Sequence, residues 1–203
     1  MILKALILNS GLGTRMGNLT SNHPKCMTKI SYHETILSRQ LNQIIDVGIN
    51  EVVITTGVFE MELFNYVQSL ELPLNINFVN NPEFRSTNYI YSIYCAREYL
   101  NDDILLMHGD LVFENQVIDE LMKTEKSSLI VSSTLHLPKK DFKAIVKNNR
   151  IIKVGVEFFE SAMTAQPLYK IFADDWRIWL KNITQFCENG ITNCYAENAF
   201  NEI

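Results

Sequence analysis

The sequence predicts an α/β fold of three layers, α/β/α, built on a mostly parallel mixed sheet with one β-hairpin excursion. Three observations predict it. A short, continuous apolar run, Leu3 to Leu8, stops at Asn9-Ser10 and gives way to a turn carrying Gly11, Gly13 and Gly17; a strand buried on both faces reads this way. Strand-like and helix-like segments then alternate as βαβαβ, which calls for parallel strands joined by right-handed crossovers. From Ala144 the pattern changes, and AIVK, Asn148-Asn149 and RIIKVGV read as a hairpin.

Taken in order, Ser31 and Glu34 make an S-x-x-E capping pattern ahead of Leu37, Leu41, Ile44 and Ile45 at helical spacing, with Gly48 at the C-terminal cap. Glu51 to Thr56 is a second strand closed by Gly57. Phe59 to Ser69 reads as a second helix, and Leu74 to Val79 as a third strand. Asn80, Asn81 and Pro82 mark a loop, after which Thr87 or Asn88 caps a helix whose buried face takes Ile90, Ile93, Tyr94 and Leu100. Asp103 to His108 is a fourth strand that stops at Gly109-Asp110. Gln116 to Thr124 reads as a helix, Ser127 to Leu135 as a strand, Asp174 to Cys187 as a helix, and 195–203 as a further helical start after the Asn189-Gly190 turn. The layout is Rossmann-like. Gly11, Gly57 and Asp110 all fall at carboxyl ends of strands, where open α/β sheets bind their ligands.

The 203 residues suit one domain with a sizeable core. A net charge of −5 gives no electrostatic reason for a nucleic-acid or anionic-membrane partner. No apolar run reaches the ~18 residues of a bilayer span, and no signal-peptide pattern opens the chain. Cys26, Cys95, Cys187 and Cys194 form no C-x-x-C pair and no metal-like spacing with the four histidines. They read as reduced thiols of a cytoplasmic protein. No heptad or apolar stripe speaks for an oligomeric state.

A glycine-rich loop after a buried strand lets backbone N–H groups approach phosphates closely, and Arg15 and Lys25 would bring positive charge to the same anion. Three phosphate motifs are separable here. G-x-x-x-x-G-K-[ST] does not occur. The dinucleotide fingerprint G-x-G-x-x-G fails because the third glycine falls one place late, at Gly17, and the second strand ends in Thr55-Thr56-Gly57 without an acid for the ribose. G-x-G-x-R-M-x(n)-P-K fits at every position: Gly11, Gly13, Arg15, Met16, Pro24 and Lys25. That pattern resembles the signature of the nucleotidyltransferase superfamily, which joins a nucleoside triphosphate to a phosphorylated metabolite.

Asp110 admits two readings: a carboxylate that holds Mg²⁺ against a triphosphate, or a turn aspartate bonding its own backbone. Beside the glycine-rich turn the metal reading is the stronger. Lys143 and Lys170 are secondary candidates for an acceptor anion, although a lone lysine is ordinarily a solvated surface charge. Glu157, Glu160 and Glu197 could recognise a cation, or simply sit on charged faces. Tyr89, Tyr91, Tyr94, Trp176 and Tyr195 could supply part of a cation–π cage, or fill the core. His23, His33, His108 and His136 are scattered and suggest no triad, and Ser10 has no base beside it.

Within the superfamily the chain is similar to the bacterial phosphocholine, aminoethylphosphonate and phosphoglutamine cytidylyltransferases. LNSGLGTRMG…HPK, STNYIYSIYCAR, HGDLVF, AQPLYK and YAENAFNEI carry the likeness. The resemblance implies that Leu8, Asn9, Ser10, Gly11, Leu12, Gly13, Thr14 and Arg15 cradle the triphosphate of CTP. It places Thr56, Gly57, Asn88 and Ser92 near base and ribose, gives Lys25 the α-phosphate and the incoming acceptor phosphate, and gives Mg²⁺ to Asp110. Arg15, Lys25 and Asp110 would then be the catalytic set. Lys143, Lys170, Glu197, Trp176 and Tyr89 would face a small phosphorylated acceptor, and the product would serve surface-polysaccharide decoration. The family usually has a further acidic metal ligand on a late strand, beyond a segment like Ala196 to Ile203, so the expectation is one domain lacking its C-terminal end. Two alternatives stand beside this: a sugar-1-phosphate transferase using UTP or dTTP, and a non-catalytic nucleotide-binding module.

Overall fold

The computed structural model describes residues 3–11, 13 and 23–203. The parallel block is made of β1 (Leu3–Leu8), β2 (Glu51–Thr56), β3 (Asn75–Asn80) and β4 (Asp103–His108), in the order β3-β2-β1-β4. Beyond β4 the sheet turns antiparallel. Strand β8 (Ala162–Ile171) pairs with β4, with β5 (Ser128–Ser132) and with β6 (Lys143–Lys147), and β6 pairs with β7 (Arg150–Gly155). The expected mixed sheet with its hairpin is borne out. Asn148 and Asn149 turn the β6–β7 hairpin at φ 51° and 58°, left-handed angles that asparagine tolerates better than most residues.

Alternation along β1 separates two cores. Ala5 and Ile7 point to one face, where α1 (Ile36–Asp46), α2 (Glu60–Ser69) and α4 (Asn115–Met122) bury Leu37, Leu41, Leu63 and Ile118. Leu6 and Leu8 point to the other, against Ile90 and Ile93 of α3 (Tyr89–Ala96), Trp176 and Ile183 of α5 (Ala173–Glu188) and Ala199 of α6 (Ala196–Phe200). Period-2 side-chain direction in a strand buried on both faces produces this division. Among the described residues no helix is long and apolar enough to cross a membrane.

The start of α1 differs from the expectation. Ser31 and Glu34 close a turn in which Ile30 N and Ser31 N donate to the Glu34 carbonyl at 2.9 and 3.2 Å. The cap is Thr35, whose Oγ1 accepts from Ser38 N at 3.1 Å while Ser38 Oγ accepts from Thr35 N at 2.9 Å. The competing T-x-x-S box lies directly against the apolar face, so it sets the first turn. The far end is as expected, with Gly48 at φ +80° after the last turn. Strand β5 is shorter than the Ser127 to Leu135 run, since 133–142 leaves the sheet as a loop.

Candidate active site

Register brings the strand ends together. Leu8 lies opposite Thr55 in β2 and His108 in β4, so Asn9-Ser10-Gly11 leaves the sheet between Thr56-Gly57 and Gly109-Asp110. A cavity of about 540 Å³ opens there, lined on one side by Asn9, Ser10, Gly11, Asn81, Phe84, Thr87 and Asn88. Its floor and far side carry Lys25, His108, Asp110, Tyr89, Tyr195, Phe142, Lys140, Asp141 and Gln166. Gly13 has φ 68°, a left-handed angle that glycine takes without strain. Leu12, Thr14 and Arg15 lie outside the described residues.

Lys25 and Asp110 meet at 3.0 Å. Each is held by the local chain. Pro24 and the 3-10 turn Lys25–Met27 plug Cys26, fully buried, into the α1 side of the core, which leaves Lys25 facing the strand ends. On the other side Gln40 of α1, buried, donates from Nε2 to the carbonyls of His108 at 2.9 Å and Leu111 at 2.8 Å, clamping the turn that carries Asp110. Gln40→Met removes both donors and strands two carbonyls; we expect a loss of ~1–3 kcal/mol in denaturant unfolding, together with a looser Asp110 turn.

Burial pushes the Asp110 carboxyl up, but the hydrogen bond and charge of Lys25, aided by His108, outweigh it and hold the carboxyl below the ordinary aspartate range. A depressed folded-state value contributes stability above the unfolded value, which is lost as pH falls through the folded one. Because both groups are partly exposed, that contribution is small. Carboxyl ¹³C titration should therefore place Asp110 below an ordinary aspartate, and Lys25→Met should bring it back up; an unchanged midpoint would remove Lys25 as the cause.

A polar network ties this wall to the residue behind it, Ser92. Ser10 Oγ and Ser92 Oγ share a 2.6 Å hydrogen bond, and Asn81 Nδ2 donates to Ser92 Oγ at 3.0 Å and Thr87 Oγ1 at 3.1 Å. Thr56, whose carbonyl accepts from Asn81 N at 2.9 Å, Gly57, packed on the Ser10 backbone, and Ser92 stand behind the cavity lining, whereas Asn88 is on its wall and caps α3. Glu197, buried, is also one layer back: its carboxylate accepts from Tyr89 Oη and, at 2.6 Å, from Tyr169 Oη. Burial and then the Glu197 charge push both phenols well above their ordinary value, so both remain donors. Only Tyr89 of that trio lines the cavity.

Besides Glu197, three further acceptor candidates are corrected. Trp176 is fully buried in the α5 core and donates from Nε1 to the Leu100 carbonyl at 2.8 Å. Lys170 points to the opposite end of β8, where Nζ donates to the carbonyls of Met122 and Thr124 at 2.8 and 2.6 Å. Lys143 is fully buried and bonds loop carbonyls. In each case a long side chain satisfies its polar end on backbone instead of facing a ligand. Sequence reasoning missed His108, which stands on the wall with its ring 4.7 Å from that of Tyr89. Burial, only partly offset by Glu197 and Asp110, lowers its pKa and keeps it neutral at neutral pH. Its position as the last residue of a strand whose next-but-one residue is Asp110 was the available signal. Phe142, Lys140, Asp141 and Gln166 were missed because they depend on the pairing of β8.

The donor set can be tested against Mg²⁺. The ion takes one or two carboxylates and completes its octahedron with phosphate oxygens and water. Asp110 offers an ionised carboxylate on the cavity wall, and among the described residues no cluster of three or more His, Cys, Asp or Glu forms an all-protein cage. The residues therefore fit an ion shared with a polyphosphate.

Fold and site together define an open α/β domain with a glycine-rich loop and a Lys–Asp pair at one end of its sheet. A family model described as the MobA-like NTP transferase domain matches residues 5–141, and the chain belongs to that family. It is 32% identical over 131 residues to the CMP-5'-(3-aminopropyl)phosphonate synthase of Streptomyces rubellomurinus, covering 64% of this chain and 21% of that protein. It is 24% identical over 135 residues to the CTP:phosphoglutamine cytidylyltransferase of Campylobacter jejuni, covering 64% and 52%. The match thus takes in only about half, or less, of the length of these relatives. In three dimensions the CTP:phosphocholine cytidylyltransferase of Streptococcus pneumoniae superposes with a TM-score of 0.76 at 19% identity, over 100% of this chain and 85% of that one, a likeness of fold.

Proposed function

We propose that this chain is a single Mg²⁺-dependent cytidylyltransferase domain that moves CMP from CTP to a small phosphorylated or phosphonate acceptor, releasing pyrophosphate. The Lys25–Asp110 pair, set beside the glycine-rich loop at the end of β4, is the observation that carries the reading. The choice of CTP is supported by the relatives, whose names specify CMP or CTP transfer.

In this reading the backbone of Gly11 to Gly13, with Arg15, holds the β- and γ-phosphates, and Lys25 faces the α-phosphate. Asp110 would hold Mg²⁺, which when bound supplies charge neutralisation to the phosphate oxygens. The acceptor is already ionised and needs no general base, which suits a cavity whose only lining imidazole, among the described residues, is a neutral, buried His108. Rate then comes from in-line positioning and from cations facing the charge that develops on the leaving pyrophosphate. The product would be an activated group for surface-polysaccharide decoration.

The test is pyrophosphate release with each nucleoside triphosphate against phosphocholine, 2-aminoethylphosphonate, glutamine phosphate and several sugar 1-phosphates. Release with CTP and one acceptor is expected. Release only with UTP or dTTP and a sugar phosphate would replace the substrate pair, and CTP binding without release under any acceptor would make the domain a binding module.

A further inference from the structure

Strand register decides what faces the acceptor. Met107 of β4 lies opposite Leu168 of β8, so Pro167, Gln166 and Ala165 run on past the end of β4 beside Asp110. Lys143 of β6 lies opposite Thr164, and Ala165 N donates to the Phe142 carbonyl at 2.9 Å. The residues just before β6 therefore continue along the same edge, and Lys140, Asp141 and Phe142 line the cavity. In the order β1-β4-β8-β6 this wall is separated from the glycine-rich loop by β4. A triphosphate on that loop leaves the β8–β6 side for the second substrate.

Among the described residues, Lys25 and Lys140 are the basic side chains on the cavity wall. In the transferase reading Lys25 is shared with the α-phosphate of the nucleotide, and Lys140 enters no ion pair with a described residue. An exposed lysine alone would be an ordinary solvated charge. Lys140 is distinguished by how its loop is fastened. Lys143, with no exposed surface, donates from Nζ to the carbonyls of Pro138 at 2.6 Å and Asp141 at 3.0 Å, and lies 4.2 Å from the centre of the Phe159 ring. No carboxylate pairs with it among the described residues. A buried ammonium satisfied only by carbonyls and a π face is expensive to desolvate. The two carbonyls it clamps bracket Lys140, so what this cost secures is the position of that residue over the cavity. We infer that Lys140 grips the phosphate or phosphonate head of the acceptor, with Lys143 as the positioning residue that holds it there. The inference rests on the transferase reading above and assigns its acceptor side.

Steady-state kinetics with the acceptor that turns over in the panel test this. Lys140→Met should raise the KM for that acceptor ~10-fold or more while the KM for CTP and kcat move within ~2-fold, and Lys140→Arg should restore most of the loss. Lys143→Met should raise the same KM. An unchanged acceptor KM in Lys140→Met overturns the inference, and a Lys143→Met that lowers only Tm removes the positioning half. Were the whole panel silent, the transferase reading would fail by itself, and the phosphate grip would be judged by ³¹P line broadening of inorganic phosphate with the CTP-saturated protein. Broadening lost in Lys140→Met supports the grip; no broadening with the unaltered chain, or broadening that survives Lys140→Met, refutes it.

Discussion

Asp110→Asn is expected to cut pyrophosphate release by ~10³-fold while the chain stays folded. The substitution keeps the shape of the side chain and removes only its charge. The ion pair with Lys25 joins two partly exposed groups, so its loss costs stability at most about 1 kcal/mol. What disappears is the ionised oxygen that, in the proposed reading, would hold a hard cation beside a triphosphate. Lys25→Met should fall by ~10²–10³-fold through the opposite charge. The two losses should be well short of additive, since the residues touch at 3.0 Å. Full activity in Asp110→Asn would dismiss its proposed role, whatever the fate of the rest of the site.

Gly57→Ala should damage both the fold and the nucleotide end of the sheet. A Cβ there would stand 2.5 Å from the Ser10 carbonyl oxygen and 3.2 Å from its carbon. Both are backbone atoms, so the glycine-rich loop itself must move. We expect a stability loss of ~1–3 kcal/mol, as for other overpacked sites, and, on the proposed reading, a loss of CTP affinity of ~10²-fold because Ser10 and Gly11 are displaced from the cavity wall. Gly48→Ala is the control. Its φ of +80° makes the substitution strained, yet open space surrounds it far from the cavity, so Tm should drop without any change in nucleotide binding. Equal CTP affinity in Gly57→Ala and the unaltered chain would show that the loop does not hold the nucleotide.

Much of this was legible in the chain, and the reasons are physical. The strands of the parallel block are short apolar runs closed by turn residues, and each begins and ends within one residue of its expected place. The ends of β1, β2 and β4 were marked by Gly11, Gly57 and Asp110, so the location of the site followed from the fold. The antiparallel half was harder to read. Strand β8 carries Gln166-Pro167 in its interior, and proline demotes a run as a central strand. Its partners β4, β5 and β6 lie far away in sequence, so the wall built by Phe142, Lys140 and Gln166 had no local signal. The same gap explains Lys143, Lys170 and Trp176. Residue type named them as ligands for charge, but only strand register for the two lysines and the packing of α5 for Trp176 reveal that each points into protein and spends its donors on backbone carbonyls. Glu197, read as an acceptor ligand or a residue of a charged face, is neither: it is buried and serves Tyr89 and Tyr169 rather than the cavity.

The most direct measurement is a ³¹P NMR spectrum of the chain incubated with CTP, Mg²⁺ and the acceptor panel. Transfer at the Lys25–Asp110 end of the sheet should replace the three CTP resonances by inorganic pyrophosphate and a new pair of coupled phosphorus signals from the CMP-linked product, and Asp110→Asn should leave CTP intact. Conversion of CTP to CDP and free phosphate, or an unchanged spectrum in every mixture, would contradict it.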